Sequence, residues 1–285
     1  MKPPLADKSV SELAAIARRL RGEVVAMSYR SGAAHLGSAL SCVDLLLAAY
    51  AWGVRVDSRR PDAEERDRLI LSKGHAASAL YAVAAEVGFF PKALLRMFGA
   101  NGGSLPEQPA PRCLPGIEAA TGSLGHGLSL GVGMALASRI RKLGFRVVVV
   151  MSDGECNEGS VWEAAMFAAA QKLDNLTVLV DYNKWQATGR SNEVMALAPL
   201  VEKFTAFGWT AYEADGHDFE DLRRTVRCYP FTEGKPSALI CHTVKGYGAS
   251  FMEDDNNWHY RVPTAAEVER AWQELGLDFR EARLS

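Results

Sequence analysis

The stretch 145–170, FRVVVVMSDGECNEGSVWEAAMFAAA, decides the architecture. It opens on a run of valines that reads as a strand, 145–151, buried on both faces. It closes on an alanine-rich segment that reads as a helix, 159–172. Between them Asp153 and Gly154 sit in a tight strand-to-helix turn. In a parallel sheet such a turn holds a phosphate on its backbone amides and on the helix amino end. Here no P-loop lysine accompanies it, and three acids, Asp153, Glu155 and Glu158, crowd it with negative charge.

A second strand, 176–182, lies in LTVLVDY and runs into Asn183, 30 residues after Asp153 (183 − 153). Neighbouring parallel strands would bring that acid and that amide oxygen together. Both are hard oxygen ligands suited to magnesium, and a bound cation would turn the acidic turn into a diphosphate site shared with the amides of Gly154 and Glu155. The same two residue types also cap turns, and the pair alone does not choose between the readings.

Working outward, helical periodicity covers 8–30, 42–52 and 75–87, and a helix of small residues covers 126–142. Residues 99–125 are rich in Gly and Pro and read as a long irregular loop, of the kind that is usually functional. Downstream come a helix at 197–206, a strand at 209–214, a helix at 218–228 and a strand at 237–243. A last helix lies in AAEVERAWQELG. This alternation predicts an α/β fold, a doubly wound, mostly parallel sheet with helices on both faces, and ligands at the carboxyl ends of its strands.

Composition sets the outer bounds. The chain has 285 residues, 48% apolar and 23% charged, with a net charge of −2, enough for one large domain and poor in the basic blocks of a nucleic-acid binder. The most apolar run, LLLAAYAWGV at 45–54, is far short of the roughly 20 residues that span a bilayer. The start, MKPPLADKSV, lacks the apolar core of a signal peptide. Five scattered cysteines, Cys42, Cys113, Cys156, Cys228 and Cys241, form no C-x-x-C and read as reduced thiols, the pattern of a cytoplasmic protein. GVGMALA, 131–137, contains G-x-G but lies inside a helix, so it is no dinucleotide fingerprint.

The run from SDGECNEGSVWEAA through KLDNLTVLVDYNKWQATG resembles the thiamine diphosphate motif of the transketolase family, with Ser152 where the family usually opens Gly-Asp-Gly. The resemblance implies a single domain over 1–285 that binds thiamine diphosphate and Mg2+. Magnesium would be held by the side chains of Asp153 and Asn183 and the carbonyl of Trp185. SGAAHLGSALSCVDLL, 31–46, is similar to the segment that puts His35 beside the substrate. RDRLILSKGHAASALYAV, 66–83, is similar to the one that puts His75 near diphosphate and substrate. PGIEAATGSLGHGLSLGVGMALA resembles the loop whose backbone at Gly122, Ser123 and Leu124 receives the aminopyrimidine. HTVKGYGASFMEDDNNWHY places His259 near the cofactor phosphates.

Two further positions depart from the family's pattern. His126 sits where many transketolases have glutamine, and its role stays open. Gln108 stands where a histidine is usual; glutamine can bond a sugar hydroxyl but cannot shuttle a proton, which points to a less usual donor or acceptor. Glu158 and Glu163 read locally as acids favoured in a helix's first turns, and by resemblance as interface residues that link two active sites. His217, in DGHD, reads as shaping a turn before a helix, and His242 as lying on a strand.

The resemblance implies ketol transfer, a two-carbon unit passing from a ketose-type donor to an aldehyde. The pyrimidine and C-terminal domains are absent from the sequence, so the expected partner is a separate pyrimidine-domain chain in a heterotetramer. A deoxyxylulose-phosphate synthase or an E1-type decarboxylating component is the alternative among enzymes. A non-catalytic thiamine diphosphate-binding subunit is the alternative outside them.

Overall fold

The structure, a computed structural model, describes residues 1–2, 4–111, 113–227 and 229–282. Cys228 therefore lies outside the described residues, and the other four cysteines are free thiols.

Five strands form one parallel sheet: β1 (Arg68–Leu71), β2 (Val147–Ser152), β3 (Leu176–Tyr182), β4 (Thr210–Asp215) and β5 (Ser237–His242), in the order β1-β2-β3-β5-β4. Because side chains alternate across a strand, each strand feeds two cores. Val148, Val150, Leu179, Leu239 and Cys241 point into one. Val147, Val149, Met151, Val178, Val180 and Ile240 point into the other.

The first core is covered by α1 (Val10–Ser31), α2 (Leu36–Ser41), α3 (Val43–Ala48), α4 (Ala77–Val87) and two later helices. The second is covered by α5 (His126–Ile140), α6 (Gly159–Ala170) and, after the single turn α7 (Ser191–Val194), by α8 (Leu200–Ala206). The later helices on the first face are α9 (Phe219–Val226) and α10 (Ala265–Glu274). The connection β2–α6–β3 runs over the second face. The connection β4–α9–β5 runs back along the sheet in the opposite direction, so a right-handed crossover must lie on the first face.

Three local features differ from the sequence expectation. β1 was not foreseen: with four residues it is too short to show a period. The helix expected at 42–52 is α3 running into a π-turn at Ala49–Gly53, and a separate helix, α2, precedes it with no side-chain cap to mark the joint at Cys42. The stretch Leu36–Gly53 is, by length and composition, apolar enough to cross a membrane, although the run inside it was expected to be too short. All of it is buried within this domain, as a core segment would be.

Candidate active site

The carboxyl ends of β1, β2, β3 and β5, neighbours in the sheet, deliver His75, Asp153, Asn183 and Lys245 to one edge. A cavity of about 330 Å³ opens there. His35, His75, Gln108, Gly122, Leu124, Gly154, Glu158, Asn183, Trp185 and His259 line it, as do Ser38, Asn157, Gln186, Ala187 and Lys245.

Three imidazoles cluster on one wall. His35 lies 5.2 Å from His75 and 5.0 Å from His259 between ring centres, and His75 lies 5.8 Å from His259. His35 takes a left-handed backbone (φ 68°), uncommon for a residue with a Cβ, and its amide donates to the carbonyl of His259 at 2.9 Å. That strain joins the loop before α2 to the turn at Asn256–His259 and fixes both rings. Burial pushes all three imidazoles below their usual pKa, His75 well below and His259 to about 3 with Lys245 adding to the effect. They are neutral near pH 7 and can accept as well as donate.

A buried chain of hydrogen bonds reaches His75 from behind. Lys73, fully buried, donates to the Ser38 carbonyl at 2.7 Å and to Ser38 Oγ at 3.2 Å, and pairs with Asp181. Burial disfavours the Lys73 charge, but the Asp181 carboxylate outweighs it and holds the pKa above its ordinary value. An ammonium only donates, so Ser38 Oγ accepts from Lys73; its contact with His75 Nε2 at 2.9 Å is one that neutral His75 makes as donor or as acceptor according to its tautomer.

Asp153 lies behind the cavity wall, fully buried. Its Oδ2 accepts from the Lys184 amide at 3.0 Å and the Ser191 hydroxyl at 2.7 Å. Its Oδ1 is buried with no hydrogen-bond partner. Burial, with the Asp181 charge adding, raises its pKa to about 7. A buried carboxylate with one orphaned oxygen fits a cation. Asn183 beside it keeps its Oδ1 on the outer side, accepting from the Trp185 amide at 3.1 Å, because its Nδ2 is committed to Asp181 and Ser41. Among the described residues no group of three His, Cys, Asp or Glu could hold a metal; a cation here would have to draw on Asp153, the Asn183 amide oxygen and main-chain oxygen. Such oxygen donors suit magnesium.

The remaining acids divide. Glu155 points inward: its carboxylate accepts from the Ser72 hydroxyl, the Gly125 amide at 2.8 Å and the Ser152 amide at 3.3 Å, tying three strand-end loops together. Its own amide, expected to face a diphosphate, donates to Ser152 Oγ at 3.3 Å. Glu158 is exposed at the cavity rim, while Glu163 is exposed on the outer face of α6 and away from the cavity. Ser123 and His126 line a shallower depression beside the cavity with Leu130, and Gln108 and Gly122 border both. A Cβ at Gly122 would meet the carboxamide of Gln108, the far end of a flexible side chain that can swing aside.

Lys245 was not singled out from the sequence. It is buried, donates to Asn256 Oδ1 at 2.7 Å and lies 3.1 Å from His259 Nδ1. Burial, with the charge of Lys73 adding, lowers its pKa to about 8. The one signal for it was a lysine directly after an apolar strand in HTVKGYG. Together Lys245, the neutral imidazoles and the turn at Gly154 line a wall that could hold an anion, and Asp153 with Asn183 could hold a cation behind it.

Comparison with known proteins matches this site to a family. The profile described as "Transketolase, thiamine diphosphate binding domain" covers residues 11–283. The chain belongs to the transketolase family. It is 43% identical over 255 residues to an apulose-4-phosphate transketolase subunit of Phocaeicola vulgatus, covering 90% of each chain. It is 43% identical over 222 residues to the 6-deoxy-6-sulfo-D-fructose transketolase subunit SqwG of a Clostridium species, covering 78% of this chain and 81% of that one. It superposes with a TM-score of 0.88 and 25% identity on the Pichia stipitis transketolase complexed with sedoheptulose-7-phosphate, covering 95% of this chain and 41% of that one. The chain thus has the length of transketolase subunits and about two fifths of the length of that transketolase. The parallel five-stranded sheet with helices is the thiamine diphosphate-binding α/β domain of these enzymes.

Proposed function

We propose that this chain is the diphosphate-binding half of a two-chain transketolase, which with a pyrimidine-domain partner moves a two-carbon ketol unit from a ketose donor to an aldehyde. One observation carries the reading. A single cavity joins three neutral imidazoles to a cationic lysine and, just behind its wall, to a buried carboxylate with an orphaned oxygen.

In this reading Asp153 and Asn183, with the Trp185 carbonyl, hold Mg2+. Lys245, His75, His259 and the Gly154 turn take the diphosphate. Thiamine diphosphate, when bound, supplies the nucleophilic thiazolium carbon that breaks and makes the carbon–carbon bond. The chain's own residues hold the substrate. His35 and His259 present neutral rings to donor hydroxyls, and His75 has Nδ1 left for a ligand because Ser38 occupies Nε2. Gln108, at the border of the cavity and the adjoining depression, contributes a carboxamide that bonds a hydroxyl without exchanging a proton. The donor it favours is a modified ketose, in keeping with relatives named for apulose-4-phosphate and 6-deoxy-6-sulfo-D-fructose.

The depression lined by Ser123, His126 and Leu130 adjoins an outer helical face where Leu130 and Ile140 of α5 and Met166 and Phe167 of α6 are exposed. Leu130, common to the depression and to this helical face, fits a partner that closes the site as it covers the helices. Two copies of each chain then form a heterotetramer.

The test is calorimetry with thiamine diphosphate and Mg2+, paired with an assay of ketol transfer with and without the partner across a panel of ketoses. Asp153→Ala should abolish tight cofactor binding in a folded chain. Turnover should require the partner and be weak on xylulose 5-phosphate with ribose 5-phosphate. Unchanged affinity in folded Asp153→Ala rejects the metal site, and robust turnover by the chain alone rejects the two-chain reading.

A further inference from the structure

We propose that His217 is a positioning residue for the diphosphate end of the site, acting on Lys245 through the main chain of Val244. The proposal rests on the reading of Lys245 as a phosphate contact.

His217 lies outside the cavity, in the turn between β4 and α9. Its Nε2 accepts the amide of Val244 at 2.9 Å. Neutral imidazole accepts at one nitrogen only, so Nδ1 carries the proton and donates to Asp44 Oδ2 at 2.7 Å. Asp44, buried on α3, also takes the Arg21 guanidinium of α1 at 2.5 Å. The His217 ring stacks on Tyr247 with centres 3.6 Å apart and planes 13° apart, and Arg21 lies 4.7 Å over the same Tyr247 ring.

These contacts grip the segment that leaves β5 from its outer side. From the inner side, the Thr243 hydroxyl donates to Asp181 and the Gly246 amide to the Gly37 carbonyl at 2.9 Å. Val244 and Lys245 are held between the two sets. Lys245 has a four-carbon stem whose free rotation would cost entropy to order around an anion. Here its backbone is fixed on both sides, and its ammonium is set against Asn256 and His259. Without an acceptor at position 217, the amide of half-buried Val244 shifts to find another partner, because an amide left unpaired away from water is costly. Lys245 moves with it.

Two substitutions separate this role from simple turn stability. In His217→Asn the amide nitrogen stands in for Nδ1: the bond to Asp44 is kept and the acceptor for Val244 is lost. In His217→Gln the carboxamide oxygen stands in for Nε2: the acceptor for Val244 is kept and the bond to Asp44 is weakened. The probe is inorganic pyrophosphate with Mg2+, titrated calorimetrically into the full chain, alongside amide hydrogen exchange over residues 243–247. His217→Asn should weaken binding by about five- to tenfold, the scale of one hydrogen bond's worth of order. It should also speed exchange at Val244, while His217→Gln stays within about twofold of the parent on the same scale. In a Lys245→Ala background the Asn effect should shrink to less than about twofold, because coupled positions are not additive.

Equal affinities for folded Asn and Gln variants would overturn the positioning role, as would an undiminished Asn effect in the Lys245→Ala background. If Lys245→Ala alone leaves pyrophosphate affinity unchanged, the reading of Lys245 as a phosphate contact fails instead. Should His217→Asn not fold, a loss of affinity in His217→Gln as large as that in Lys245→Ala would equally reject the proposal.

Discussion

Asp153 illustrates how a single residue can be wrong for the fold and right for a ligand. With its Oδ1 unpartnered and its pKa raised to about 7 by burial, the metal-free carboxylate destabilises the chain at neutral pH. The sign follows from proton counting. Between pH 3.8 and about 7 the folded group holds a proton that the unfolded one has released, so its contribution to stability falls as pH rises through that window. Asp153→Asn should therefore stabilise the metal-free chain by about 0.5–2 kcal/mol at pH 8, in the range typical of relieving a functional site. The gain over the parent should shrink toward pH 5, and Mg2+-dependent cofactor binding should be lost. Thermal melts at several pH values, with and without Mg2+, check both halves. Lys245 supplies a second dependence. Its ammonium is lost as pH rises through about 8, so in the free chain pyrophosphate affinity should decline above that pH. The decline should flatten in Lys245→Ala, as calorimetry across pH 7 to about 9.5 would show.

At the scale of elements, the site depends on how closely α5 approaches the sheet. A Cβ at Gly127, in the first turn of α5, would overlap the main chain and hydroxyl of Ser72 at the end of β1. That turn follows Gly125, whose amide Glu155 binds, and Ser72 donates to the same Glu155. Gly127→Val should push α5 outward, part this junction and destabilise the fold by about 1–3 kcal/mol, the usual cost of overpacking. Denaturant melts measure the loss. Because Gly122–Leu124 immediately precede α5, cofactor affinity should fall with it. The strand-end turns were legible in the sequence because a run of valines ending in Asp-Gly has few other solutions. β1 was not, because four residues carry no period, and the break at Cys42 was not, because no cap or proline announces it.

For the whole molecule, the exposed apolar face of α5 and α6 is the feature that a lone domain does not explain. Leu130 is 40% exposed, Met166 51%, Phe167 46% and Ile140 72%, on helices that pack side by side, with the amino end of α5 at the depression beside the cavity. Phe167→Asp combined with Met166→Asp should leave the fold intact, since both side chains already face solvent. It should reduce assembly with the partner chain by tenfold or more, of order the loss of an interface hot spot. Light scattering of the mixed chains decides it, and a parent-like heterotetramer from the double variant would place the interface elsewhere.

The amino-acid order determined by itself what depends on near neighbours. Valine runs made buried strands, alanine-rich runs made helices, and the alternation made a parallel α/β sheet with its ligand edge at the strand carboxyl ends. The motifs around Asp153, Asn183, His35, His75 and His259 marked out candidates one by one. Only the tertiary structure decided what those residues meet. The strand order β1-β2-β3-β5-β4 sets Lys245 beside Asn183 and His75 beyond Asp153. It buries Lys73 against Asp181, sets Ser38 between Lys73 and His75, and turns Glu155 from a ligand candidate into a brace. It brings His217 across to Val244. The physical reason is that periodicity reports which face of an element is buried. Which charge or hydrogen bond waits on the other side is fixed only when distant elements pack.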